Sequence, residues 1–148
     1  MDLIQRIIHA LTEVHPFHTL VVHFPIALTG SALFFILLAL VLRKDILEQV
    51  AFANISLAAV STVVAGITGM MDNAEIYGGN APNSGTKLML AVILFVVTTV
   101  TALVRWRNPA LFHAPLPKKA LYISAYFISF GLVSVLAFLG GIILYGFE

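Results

Sequence analysis

Four long windows without Asp, Glu, Lys or Arg occupy residues 19–42, 50–71, 88–104 and 120–147. They limit what the chain can fold into more than any other feature. A hydrocarbon layer of about 30 Å is crossed by about 20 helical residues. Backbone amides in that layer are satisfied only within helices or closed barrels. Barrel strands would alternate polar and apolar residues over about ten positions, and these windows do not alternate. The chain therefore reads as an all-α integral membrane protein, a four-transmembrane-helix bundle with spans at about 19–42, 50–71, 88–104 and 120–146. The third window is short, but Lys87 and Arg105 at its ends can snorkel to extend it. The fourth is long enough to tilt or to overrun the interface.

Composition agrees with this. Hydrophobic residues make up 60% of the chain and charged residues 10%, against about 25% charged in soluble domains. The lipid bilayer is thus the first expected partner. A net charge of +1 leaves no basic field for nucleic acid. The absence of cysteine excludes disulfides, thiolate metal sites, iron–sulfur ligation and thioether haem attachment by this chain.

Ahead of the first window, Leu3, Ile4, Ile7, Ile8, Leu11 and Val14 recur at helical spacing, with Asp2, Gln5, Arg6, His9 and Glu13 mostly opposite. This pattern predicts a short interfacial amphipathic helix over 2–14. Its periodicity and its two early charges argue against a signal peptide. Residues 1–148 then form a single membrane domain.

The connections read as a tight charged turn at 43–49, a Gly- and Asn-rich polar loop at 72–86, and a Pro-rich segment at 105–119 that should continue neither neighbouring helix. Arg43, Lys44, Arg105, Arg107, Lys118 and Lys119 share one side, against Arg6 and Lys87 on the other. The positive-inside rule then places both termini outside the cytoplasm, on the periplasmic side of a bacterial inner membrane. Small residues recur at Ser61, Ala65 and Gly69, and again at Gly131, Gly140 and Gly141. Such faces suit close helix packing within one subunit or between subunits.

Candidate chemistry gathers at the outer side, in "HPFHTLVVHFPIAL" (15–28). Pro16 places His15 at or before the helix start. His23 lies about 7 Å further along the helix than His18 and about 140° around it, so one straight helix cannot aim both rings at one ion. Pro25 weakens the turn beside His23 by leaving the Val21 carbonyl without its helical donor. An ionisable residue within a span is a functional candidate, which makes His23 the leading ligand, then His18 and His15. Met70, Met71 and Asp72 end the second window on the same side. Imidazole, thioether and carboxylate form a ligand set for haem iron, copper or another metal. Each residue also has a plainer reading: the histidines can bond a backbone carbonyl or a lipid headgroup, and methionine readily fills packing gaps. His113, among prolines, reads as a solvated surface residue. No G-x-S-x-G, H-E-x-x-H or phosphate loop occurs, so no independent enzymatic activity is expected. The windows contain no Asp or Glu for a proton relay, which argues against a coupled transporter.

"HPFHTLVVHFPIAL", with "GITGMMD" closing the second window and "LGGIILYG" near the end, resembles the four-helix membrane family known as domain of unknown function 2231, over roughly residues 15 to 146. The resemblance implies that His15, His18, His23, Asp72, Gly140 and Gly141 are signature positions. Rieske-type domains joined to some relatives imply a redox setting. Relatives with a histidine at the start of the third helix differ from this chain, which has Lys87 there. The resulting expectation is a small bacterial inner-membrane subunit that binds haem b, or copper or another metal, at its outer face for electron transfer. The alternative is a non-catalytic structural subunit without a cofactor, associated with other membrane subunits or with a second copy of itself.

Overall fold

The computed structural model describes residues 2–5 and 17–145. Four helices follow one another in the chain: α1 (Phe17–Leu42), α2 (Asp45–Tyr77), α3 (Ser84–Arg107) and α4 (Leu116–Tyr145), with a short 3₁₀ turn at Leu111–His113. No strand occurs among the described residues. Each of the four is long and apolar enough to cross a membrane. They pack as a ring, each helix against its chain neighbours and α4 back against α1, with α1 on α2 the most extensive contact. Of the expected interfacial helix, only residues 2–5 are described. There Leu3–Gln5 is helical, and the Asp2 amide donates to Gln5 Oε1 at 3.2 Å.

Each of the four windows falls on one of these helices, and the helices extend further. α2 has 33 residues, about 50 Å of helix, longer than a hydrocarbon layer of about 30 Å. The charged turn expected at 43–49 shrinks to Arg43 and Lys44. Arg43 adopts a left-handed φ of 54°, Lys44 is extended, and Asp45 already begins α2. Acidic side chains suit a first helical turn, where they face the positive end of the helix dipole. The loop expected at 72–86 is likewise confined to 78–83. Asp72 and Glu75 belong to α2, which ends at Gly78 with a φ of 57° that glycine adopts without strain. Asn73 then fastens the loop: its backbone carbonyl accepts from Gly79 at 2.8 Å, and its Oδ1 accepts from the Ala81 amide at 2.9 Å. Arg105 and Arg107 continue α3, and Pro117 sits in the first turn of α4, where its missing amide costs no helical bond.

The core is built from small and β-branched residues. Ala32, Ile36 and Ala39 of α1 meet Ala51 and Ile55 of α2, with Leu111, Phe112, Tyr122 and Tyr126 closing one end. Buried hydroxyls turn back onto their own helices. Thr62 donates to the Ala58 carbonyl at 2.8 Å, Thr98 to Leu94 at 2.8 Å, Thr101 to Val97 at 2.7 Å and Ser129 to Ala125 at 2.8 Å. These bonds satisfy the polar groups without joining helices. Side-chain hydrogen bonds between helices are concentrated at the two ends of the bundle.

Candidate functional site

At the end expected to face outward, α1 brings in His18 and His23. His18 turns inward onto α2. Its Nδ1 lies 3.0 Å from Thr68 Oγ1. The Thr68 hydroxyl also reaches the Val64 and Ala65 carbonyls at 3.1 and 3.2 Å, and which partner donates in the His18–Thr68 bond follows the ring tautomer. The ring lies against Gly69, where an added Cβ would come within 2.8 Å of His18 Cε1. Glycine at this position lets the imidazole approach the α2 backbone. Gly69→Val should displace the ring and break the Thr68 bond, lowering stability by about 1–3 kcal/mol. Denaturant titration in detergent micelles measures the loss. Asp72 on α2 and Lys87 on α3 exert opposite charges on the same ring. His18 and Thr68 thus tie α1 to α2, with Asp72 and Lys87 near enough to act on the ring electrostatically.

His23 faces away from them, on the exposed surface of the bundle. Its Nδ1 lies 2.6 Å from the Thr19 carbonyl one turn earlier. A carbonyl only accepts, so Nδ1 carries the proton and the lone pair of the neutral ring resides on Nε2. No described residue partners Nε2. Met70 and Met71 are both about half exposed at the end of α2, and neither sulfur is hydrogen-bonded to either ring. Among the described residues, no group of three His, Cys, Asp or Glu side chains could hold a metal ion. His15 lies outside the described residues. Pro25 is accommodated within an unbroken α1.

The opposite end holds a network that the windows concealed. Glu48, only 2% exposed, receives two bonds from Arg105, Nε to Oε1 at 2.6 Å and Nη2 to Oε2 at 2.8 Å. Tyr122 donates its hydroxyl to Glu48 Oε1 at 2.7 Å, and its oxygen lies 2.6 Å from the Tyr126 hydroxyl. Arg105 also lies 5.4 Å from the Phe52 ring centroid. Glu48 lies just outside the acid-free window 50–71, where the longer α2 carries it as a buried carboxylate on the face shared by Ala51, Ile55 and Thr62. Each carboxylate oxygen has a charged donor, so the buried charge is compensated. Tyr122→Phe should cost about 1–3 kcal/mol, because it removes one donor from Glu48 and strands the Tyr126 hydroxyl. Unfolding in detergent micelles reads the difference. Nearby, His113 is exposed, as its sequence context suggested, and lies 3.0 Å from Asp45.

A family model described as "Predicted membrane protein (DUF2231)" matches residues 14–148. The chain belongs to this family. No curated protein and no solved structure matches it. The family description supports membrane residence, as do the four spans, and names no activity. Among the signature positions the resemblance implied, His18 and Asp72 come together electrostatically, while His23 points outward. Among the described residues, a Cβ at Gly140 or Gly141 would meet no atom within 4 Å. The signal that could have revealed the buried network was spacing. Glu48 continues the i, i+3, i+7 series of Ala51 and Ile55, and Tyr122 and Tyr126 share a face of α4.

Proposed function

We propose that this chain is a bacterial inner-membrane subunit that presents His23 as a ligand to haem b, or to copper or another metal, for electron transfer at the outer side of the bundle. One observation carries the reading: the Thr19 carbonyl holds His23 Nδ1–H, and no described residue partners Nε2 on the exposed face of the bundle. Metal-ligating histidines are oriented in this way, with the second ring nitrogen donating to a carbonyl or carboxylate. The residues present fit a haem or metal in part. Among the described residues His23 is the one exposed imidazole at this end, and another chain can supply the second ligand. A homodimer with the two His23 rings facing one another meets that need. Bound haem would supply one-electron chemistry, while the protein's part is to fix the ring tautomer and aim Nε2. The excess of cations at the opposite end supports an outer, periplasmic placement of His23. Light scattering with haem and metal analysis on protein purified from native membranes tests this. The expected result is a dimer with one group per two chains. A colourless, metal-free monomer overturns it.

A second reading is favoured by the glycines. Among the described residues, nothing lies within 4 Å of a Cβ added at Gly66, Gly131, Gly140 or Gly141, which leaves these positions available to another subunit. In that reading the chain is a structural subunit without a cofactor. Its His23→Ala variant would fold, remain colourless and lose a partner on native gels.

A further inference from the structure

The end of the bundle that carries the 43–44 and 108–115 connections holds a second feature, separate from the histidines. A groove of about 560 Å³ is lined by Leu40 of α1 and by Leu116, Ala120, Ile123 and Phe127 of α4, a volume within the roughly 300–1,000 Å³ of small-ligand sites. Ser124 also lines it, but its hydroxyl donates to the Leu121 carbonyl at 2.9 Å and offers the groove no donor. The one charged side chain of the lining is Lys119. Its Nζ lies 4.5 Å from the centroid of the Phe112 ring, and Phe112 is buried in the core. This cation–π contact favours one position of the ammonium, beside the groove. Charge at this end is one-sided. Arg43, Lys44, Arg107, Lys118 and Lys119 have no salt bridge among the described residues, whereas Glu48 is taken by Arg105 and Asp45 faces His113.

An apolar groove running along two membrane-spanning helices with a cation beside it matches one chemistry, an acyl chain joined to an anionic headgroup. We propose that this groove binds an anionic phospholipid, with its phosphate on Lys119 and an acyl chain along Leu40, Ile123 and Phe127. Basic pockets between transmembrane helices on the cytoplasmic side hold such lipids, and the charge asymmetry assigns this end to that side. Free phosphate would leave the apolar lining unused, and a zwitterionic lipid would gain little from the surrounding cations.

Native mass spectrometry of the detergent-purified, full-length protein tests the site, with dioleoyl phosphatidylglycerol and dioleoyl phosphatidylcholine as probes. The wild type is expected to retain the anionic lipid roughly fivefold better, the factor that one lysine at an anionic surface contributes. Lys119→Gln should bring the ratio close to one. Ala120→Trp, placed at an exposed position in the groove, should reduce retention of both lipids. Equal retention of the two lipids by the wild type overturns the proposal, as does an unchanged ratio in Lys119→Gln. If Lys119→Gln fails to fold, Ala120→Trp decides alone: undiminished retention of the anionic lipid overturns the proposal.

Discussion

Arg105→Ala is expected to lower the unfolding free energy by about 3–5 kcal/mol, the cost of removing one partner of a buried ion pair. The reason is the position of Glu48. At 2% exposure its carboxylate has exchanged water for Arg105 and Tyr122, with the Arg105 side chain itself only 12% exposed. Without the guanidinium, one tyrosine hydroxyl is left to stabilise a buried negative charge. The loss should couple α2, α3 and α4, because the network takes Glu48 from the first, Arg105 from the second and Tyr122 from the third. The double variant Glu48→Leu, Arg105→Leu removes both charges and should recover most of the stability, as apolar replacement of a buried pair often does. Equilibrium unfolding in mixed detergent micelles reads both. If Arg105→Ala unfolds like the wild type, the network does not hold the end of the bundle together. If the double variant is as unstable as the single one, the cost lies in packing and not in the stranded charge.

The second large effect concerns His23. His23→Ala should abolish haem or metal binding while changing stability by no more than about 0.5 kcal/mol, as expected for an exposed position. Among the described residues, its ring is hydrogen-bonded only to its own helix, through the Thr19 carbonyl. His18→Ala should do the reverse. It removes the α1–α2 bond to Thr68 and leaves the ring's cradle at Gly69 empty, for a stability loss of about 1 kcal/mol, while the outward His23 remains. Absorbance and metal content measured beside unfolding curves separate the two. Loss of the bound group in His18→Ala with retention in His23→Ala would move the ligand to His18.

The number of helices was legible because crossing a membrane imposes a length and a hydropathy that short stretches cannot imitate. Their ends were less so. Windows bounded by charges necessarily leave every charge outside the span, and that placed Glu48 in a turn and Asp72 in a loop. The helix dipole accepts acids in the first turn, and α2 is long enough to carry both Glu48 and Asp72. The angular separation of His18 and His23 was legible from helix geometry alone, and the structure turns one ring inward and the other outward. That Thr68 and Gly69 would receive His18 depended on how α1 meets α2, which no local pattern encodes. The glycines were read as equally suited to internal and external packing. The structure divides them, with Gly69 against His18 and Gly30 near Phe130, and, among the described residues, no atom within 4 Å of a Cβ at Gly66, Gly131, Gly140 or Gly141.

The proposal that His23 carries a redox group is tested most directly by a reduced-minus-oxidised absorbance spectrum, with metal analysis, on wild-type protein purified from its native membrane. The account predicts a Soret band that shifts on reduction, or a stoichiometric redox-active metal, lost in His23→Ala. A flat difference spectrum with no stoichiometric transition metal would contradict it and leave the structural-subunit reading in its place.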